Sequence, residues 1–97
     1  MTLSEIMQDI HACEEDLLMY ERKYGILTST FYAAYDAGEE PPQISWLGDW
    51  NDWAAAYEIW QRREMQYQAA IKALQKQTPL ITLIEKAARR EPLLVPA

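Results

Sequence analysis

The strongest constraint on the fold of this chain is an apolar repeat of about 3.5 residues in two long segments. The repeat positions of the first segment are Leu3, Ile6, Ile10, Cys13, Leu17, Tyr20 and Tyr24. Those of the second segment are Trp50, Trp53, Tyr57, Trp60, Glu64, Tyr67, Ile71 and Leu74. This period is typical of α-helices that pack side by side, as in a coiled coil. The sequence therefore predicts an all-α fold built on an antiparallel helical hairpin with an aromatic seam.

Start and stop signals bound the first of these helices. Thr2 and Glu5 fit the capping box, in which a hydroxyl and a carboxylate satisfy open backbone donors reciprocally. Gly25 is suited to the left-handed conformation that ends a helix. We therefore expect the first helix to cover residues 3–24.

A short connector helix is predicted over residues 29–37. Thr28 is its candidate N-cap, and Gly38 follows its last turn. Pro41 and Pro42 then hold an extended path because neither has an amide hydrogen for a helix. We expect the connector helix to fold over the connector end of the hairpin.

The second long helix is predicted over residues 50–77, with Asp49 as its preferred N-cap. It ends before Pro79, because the residue before a proline avoids helical geometry. A last helix over residues 79–90 then begins with Thr78 as its cap and the proline at its first position.

Antiparallel packing pairs the repeat positions of the long helices in reverse order. The predicted pairs are Tyr24–Trp50, Tyr20–Trp53, Leu17–Tyr57, Cys13–Trp60, Ile10–Glu64, Ile6–Tyr67 and Leu3–Ile71.

A chain of 97 residues makes one domain, which we assign to residues 1–90, followed by an extended tail at 91–97. A two-helix hairpin has only one shared seam, so part of its apolar surface stays uncovered. We expect a second copy to cover that surface in a homodimeric bundle.

Charge is distributed unevenly along the chain. Residues 1–60 contain twelve acidic and two basic side chains, a net charge of −10, whereas residues 61–97 contain seven basic and three acidic ones, a net charge of +4. The acidic half repels nucleic acid and favours basic partners. Ordinary solvated helix faces are the alternative interpretation of both charge groups.

The candidate partner-binding residues are acidic side chains together with the apolar tail. They are Glu14, Glu15, Asp16, Asp36, Glu39, Glu40, Leu93, Leu94 and Val95. The tail is unusually apolar for the end of a sequence, and three interpretations are open. It frays, it docks on the bundle, or it adds a strand to the sheet edge of a partner.

Basic side chains provide an alternative, nucleic-acid-binding surface. The candidates are Arg62, Arg63, Lys72, Lys76, Lys86, Arg89 and Arg90. The last three lie near a predicted helix end, where cations also complement the helix dipole without any ligand. No helix-turn-helix pair is apparent that could contact bases.

The sequence predicts no catalytic, metal or cofactor site. His11 is the only histidine, and no ligand stands at metal-binding spacing with it on one helix face. The triplet Glu14-Glu15-Asp16 diverges around a helix and does not converge on an ion. Phosphate-binding glycine loops and the Gly-x-Ser-x-Gly elbow are absent. We therefore expect a non-enzymatic protein.

Two further positions carry expectations. Cys13 is the only cysteine, which precludes an internal disulfide, and its place in the repeat predicts burial. Glu64 interrupts the seam, so either the helix rotates until Met65 fills the gap, or Glu64 pairs with a base of a second copy.

No signal peptide and no window of about 18 apolar residues is visible, so we expect a cytoplasmic protein without a membrane span.

Four short motifs form a recurrent pattern: Glu21-Arg22-Lys23-Tyr24-Gly25, Thr28-Ser29-Thr30-Phe31-Tyr32, Gly38-Glu39 and Asp49-Trp50-Asn51-Asp52-Trp53-Ala54. Over residues 20–60 the chain resembles small prokaryotic antitoxin-like helical proteins with a KYG, Ser/Thr-x-x-Phe-Tyr, Gly-Glu, acidic-x-x-Trp signature. The chain departs from the pattern by inserting Glu40-Pro41-Pro42. The resemblance implies a toxin–antitoxin system, in which the acidic half neutralises a basic ribonuclease-type toxin.

Overall fold

A computed structural model describes residues 2–94 of the chain and shows an all-α fold. Its elements are α1 (Leu3–Tyr24), α2 (Thr28–Asp36), a 3₁₀ turn (Ile44–Trp46), α3 (Leu47–Gln75) and α4 (Leu80–Ala88). No strand occurs within residues 2–94, and α1 packs against the long helix α3. The predicted all-α fold and the pairing of its two long helices are confirmed.

The chain divides into two compact units, to each of which α1 and α3 both contribute. The central unit is His11–Gln61, and the terminal unit combines Met1–Ile10 with Arg62–Ala97. Each unit has its own buried residues and its own charge, so they are described separately below.

The core of the central unit is a stack of aromatic rings around Trp53, which is only 2% exposed. The Phe31 ring lies parallel to the Trp53 ring, with their centroids 3.9 Å apart. Tyr20 and Tyr24 stack on the same indole at 5.7 and 5.6 Å. The contact between Tyr20 and Trp53 confirms their predicted pairing in an antiparallel hairpin. Because an aromatic ring buries roughly 150–250 Å², this stack supplies most of what a small core needs.

The connector helix begins one residue earlier than predicted, and its first residue has a different role. Thr28 is the first residue of α2, and no side chain caps the helix from the preceding position, Leu27. The prediction that Thr28 is the N-cap is therefore wrong. The Glu21 carboxylate instead accepts hydrogen bonds from the backbone N–H and the hydroxyl of Thr28, each at 2.8 Å. Gly38 follows the helix with a φ of +83°, as the sequence predicts.

The bounds of the third helix also differ from the prediction. α3 starts at Leu47 because a 3₁₀ turn over Ile44–Trp46 leads directly into it, and it ends at Gln75 rather than at residue 77. Asp49 therefore lies in the first turn of α3 and not at its cap. Its carboxylate is used in tertiary hydrogen bonds, which are described with the site.

The buried residues of the terminal unit come from α1, α3 and α4. Leu3, Ile6, Ala70 and Leu83 are all buried. Three hydrogen bonds between Thr2 and Glu5 form the predicted capping box. α4 covers Leu80–Ala88 rather than residues 79–90, because Pro79 occupies the cap position and not the first helical turn.

The C-terminal tail returns to the start of α1. The Leu3 N–H donates a 3.0 Å hydrogen bond to the carbonyl of Leu93, and Leu94 forms an antiparallel bridge with Thr2. These two residues therefore pair with the start of α1 through their backbone, while the side chain of Leu94 is 70% exposed, and the addition of a strand to a partner stays a prediction. Val95 lies outside the described residues.

Glu64 lies half-buried on α3 of the terminal unit. Its carboxylate accepts a 3.2 Å hydrogen bond from the side chain of Gln68, one helical turn along. Met65 is 73% exposed, so the expectation that it fills the gap in the seam is wrong. Pairing of Glu64 with a second copy stays a prediction.

Candidate protein-binding surface

The two units differ in charge. The central unit contains ten acidic and two basic side chains, a net charge of −8, and the terminal unit contains five acidic and seven basic ones, a net charge of +2. The asymmetry in the sequence therefore becomes an asymmetry between compact parts of the fold. An acidic surface attracts basic partners over a distance of about 10 Å at ordinary ionic strength.

Three carboxylates of the central unit hold its own helices together. The first is Asp49, which accepts hydrogen bonds from the Lys23 ammonium and the Tyr24 hydroxyl, both at 2.6 Å. The Lys23 hydrogen bond, followed by that of Tyr24, lowers the pKa of Asp49 below its ordinary value. The same bond raises the pKa of Lys23, and burial followed by the Asp49 bond raises the pKa of Tyr24. The charge of Asp49 is therefore used within the central unit, where it joins α1 to α3.

The other two structural carboxylates are Glu21 and Glu58. Glu21 receives the two Thr28 donors, and the Thr28 hydroxyl in turn accepts a 2.9 Å hydrogen bond from the Trp53 indole. Glu58 accepts a 2.9 Å hydrogen bond from the Tyr32 hydroxyl, which raises the pKa of Tyr32 to about 12. A phenol that binds a carboxylate is held in its protonated form. Glu21 and Glu58 thus join helices of the central unit, a role that no pattern in the sequence indicates.

The six acidic residues that the sequence predicts as partner-binding are exposed, and the structure places them in two groups. Glu14, Glu15 and Asp16 lie near the middle of α1, and Asp36, Glu39 and Glu40 lie at the end of α2 and after it. Each group borders an apolar groove of the central unit. One member, Glu14, accepts a 3.4 Å hydrogen bond from the indole of Trp60.

The connector groove is the larger of these two surface depressions, with a volume of about 550 Å³. It is lined by Tyr35, Gly38, Glu39, Glu40, Pro41, Ile44, Leu47, Trp50 and Asn51. Ile44 is 89% exposed although it is a large apolar side chain. The Trp50 indole donates to the carbonyl of Glu39 at 3.3 Å and so holds the loop against α3. The groove combines apolar walls with two free-standing carboxylates.

The helix groove, with a volume of about 440 Å³, is formed by residues of α1, α2 and α3. It is lined by Glu14, Leu17, Leu18, Glu21, Leu27, Thr28, Ser29, Tyr57 and Trp60. Leu18 and Leu27 are both exposed there. Glu15 and Asp16 follow Glu14 on the same helix, so this groove also lies beside carboxylates.

The basic candidates all belong to the terminal unit, and two of them are already paired. Arg63 donates to Asp9 at 2.8 Å and to Gln66 at 2.8 Å. Arg89 forms a 3.6 Å ion pair with Glu85. The remaining candidates are exposed on α3, on α4 and around them: Arg62, Lys72, Lys76, Lys86 and Arg90.

Sequence reasoning missed the apolar members of the connector groove. Ile44 and Leu47 stand outside the 3.5-residue repeat, in a segment that the two prolines mark as a loop. An isolated large apolar residue beside a stiff loop is the signal that could have indicated them. Within residues 2–94, no group of three or more His, Cys, Asp or Glu is arranged to hold a metal ion.

The comparisons with known proteins are negative, since no family model, no curated protein and no solved structure matches this chain. The resemblance to antitoxin-like proteins over residues 20–60 therefore stays a prediction. In the described part of the chain, no helix is both long enough and apolar enough to cross a bilayer.

Proposed function

We propose that this protein is a non-enzymatic interaction module of antitoxin type, which binds and neutralises a basic ribonuclease-type protein. The observation that supports this function is the net charge of −8 on the central unit. A ribonuclease must bind phosphates through cationic side chains, and carboxylates presented on a rigid helix compete for the same cations. The partner is thereby kept from RNA.

The contact is proposed to centre on the helix groove and the adjoining carboxylates of α1. Glu15 and Asp16 are exposed, and neither takes part in an ion pair among the described residues. Leu18 and Leu27 supply exposed apolar area beside them. Interfaces combine such an apolar centre with charges at the rim, where the charges speed association and select the partner.

We further propose that the protein works as a homodimeric bundle in the cytoplasm. Support for self-association comes from large apolar side chains that are exposed outside the helix groove: Met7, Met19, Ile26, Ile44, Leu47, Ile59, Met65, Leu80, Ile81, Ile84 and Leu94. Sedimentation of the purified chain over a range of concentrations tests this part of the proposal.

The test of the main proposal starts from the neighbouring gene. We expect it to encode a basic protein that cleaves RNA, that co-purifies with this chain when both are expressed, and that loses activity in the complex. The variant Glu15→Lys/Asp16→Lys should weaken the complex by about tenfold or more, because it places cations against a basic partner. The variant Asp52→Lys/Glu91→Lys makes the same change in net charge at two exposed carboxylates that line neither groove, and it is the matched control.

Two outcomes contradict the proposal. One is a neighbouring gene that encodes no basic nuclease-like protein. The other is RNA cleavage by the partner that continues unchanged when a stoichiometric excess of this chain is present.

A second candidate function is nucleic-acid binding by the terminal unit. It is favoured by the exposure of Lys72, Lys76 and Lys86, although Arg63 and Arg89 are held by Asp9 and Glu85. Binding to duplex DNA that weakens steeply with added salt would support it. The absence of such binding at low salt would exclude it.

A further inference from the structure

Helix α4 has nine residues, and three of them are large apolar side chains that are exposed to solvent. Ile81 and Ile84 are 63% and 62% exposed, Leu80 is exposed as well, and Leu83 is buried in the terminal unit. A helix this short is not stable by itself and depends on the surfaces that pack against it. A contiguous exposed apolar stripe of this kind marks an interaction site.

The charge of α4 indicates what kind of surface covers this stripe. Lys86 lies in its last turn, and Arg89 and Arg90 follow it directly. Glu85 neutralises Arg89 at 3.6 Å, while Lys86 and Arg90 take part in no ion pair among the described residues. The covering surface must therefore be apolar with carboxylates at its edge. A second α4 does not meet this condition, because its one carboxylate, Glu85, is already paired with Arg89.

The connector groove meets both conditions. Ile44 and Leu47 are exposed apolar residues on one wall, and the exposed carboxylates of Glu39 and Glu40 stand at its edge. Neither carboxylate takes part in an ion pair within residues 2–94. α4 is about 13 Å long, and its apolar stripe covers little more than one turn, which suits a short open groove.

We infer that α4 of one copy docks in the connector groove of a second copy. Ile81 and Ile84 pack against Ile44, and the basic end of the helix lies beside Glu39 and Glu40. The inference rests on the self-association proposed above and assigns it to two complementary surfaces. In a dimer with twofold symmetry, the symmetry that homo-oligomers most often have, each copy contributes α4 to one such contact and the connector groove to the other.

Charge reversal on each surface tests this interface in the full-length chain. Sedimentation equilibrium should show that Glu39→Lys/Glu40→Lys weakens self-association by about tenfold or more, and that Lys86→Glu/Arg90→Glu does the same. The second variant leaves the pair between Arg89 and Glu85 intact. An equimolar mixture of the two variants should associate again, because each supplies the charges that the other has lost.

Two further variants make the test specific. Glu15→Lys/Asp16→Lys changes the net charge by the same amount on α1 and should leave self-association unchanged. Ile44→Glu alters a side chain that is 89% exposed, so it should not disturb folding, yet it should abolish the association. Far-UV circular dichroism checks that every variant keeps its helix content.

The possible results separate this inference from the proposed dimer itself. A wild-type chain that stays monomeric at every concentration overturns both. Self-association that is unaffected by the variants at residues 39, 40, 44, 86 and 90 overturns only the docking of α4. Binding of the monomeric chain to vesicles of anionic phospholipid through α4 would assign the helix to a membrane surface and would also overturn the inference.

Discussion

The hydroxyl of Thr28 joins three helices, and its removal is the sharpest test of the fold of the central unit. It donates to Glu21 at the end of α1 and accepts from the Trp53 indole of α3, while Thr28 itself begins α2. Thr28 is 4% exposed and Trp53 is 2% exposed, so water cannot replace the bond between them. The variant Thr28→Val keeps the shape of the side chain and removes both interactions.

The expected loss follows from the two broken bonds. The Trp53 N–H becomes a buried donor without an acceptor, which costs about 1–3 kcal/mol. The bond to the Glu21 carboxylate is charge-assisted and is worth about 1.5–3 kcal/mol, but Glu21 keeps the backbone N–H of Thr28, so the lower figure applies. Thr28→Val should therefore lower the free energy of unfolding by about 3 kcal/mol. Thr28→Ser keeps the hydroxyl and should cost only about 1 kcal/mol for the lost methyl group.

Urea denaturation followed by tryptophan fluorescence measures this difference directly. All four tryptophans, at positions 46, 50, 53 and 60, lie in the central unit, so the signal reports on the part of the fold that is altered. The reasoning would be refuted by a Thr28→Val variant as stable as Thr28→Ser. A second check is the background Glu21→Gln, in which the loss caused by Thr28→Val should be smaller because the charge has been removed.

Two remaining predictions concern a tyrosine and a pair of glycines. The pKa of Tyr32 is about 12 in the folded chain against an ordinary 10.0, so the bond to Glu58 should stabilise the fold fully below pH 10 and be lost as the pH rises towards 12. Unfolding measured across this range should lose stability less steeply in Tyr32→Phe, and equal slopes would contradict the assignment. Gly25 has a φ of +72°, so Gly25→Ala should destabilise the fold by about 1 kcal/mol. Gly48 lies in the first turn of α3 with open space at its Cβ, so Gly48→Ala should stabilise the fold by about 0.5 kcal/mol. A change of the same sign in both glycine variants would be inconsistent with these backbone conformations.

The sequence was informative wherever a signal is local or periodic. The 3.5-residue repeat predicted that Leu17, Tyr20 and Trp53 are buried, and all three are. The capping box at Thr2 and the helix stop at Gly25 depend on neighbouring residues only, and both form as predicted. The acidic character of the first sixty residues likewise carries over to the central unit, because charge is fixed by composition.

The errors arise where a distant residue competes with a local signal. Thr28 has the side chain of an N-cap, but its hydroxyl donates to Glu21 and accepts from Trp53, and the N–H groups of Thr30 and Phe31 donate to the carbonyl of Leu27 instead. Asp49 was expected to cap α3, but the 3₁₀ turn before it extends the helix, and Lys23 and Tyr24 bind its carboxylate. Such partners are 7 to 26 positions away in the sequence, and no pattern in one chain reveals them.

The candidate site was predictable in its charges and not in its shape. Glu14 and Glu39 follow from the acidic bias, whereas the grooves beside them exist only because α2 and its loop fold back over α3. Ile44 has no place in a helical repeat, so its position on a groove wall depends on the tertiary structure alone. The apolar residues of the candidate binding surface therefore could not be predicted from the sequence.

The backbone pairing of Thr2 and Leu3 with Leu93 and Leu94 brings positions far apart in sequence to a single point on the surface. Two dyes attached at positions 2 and 94 should therefore lie close together, and energy transfer between them should be efficient in the folded state.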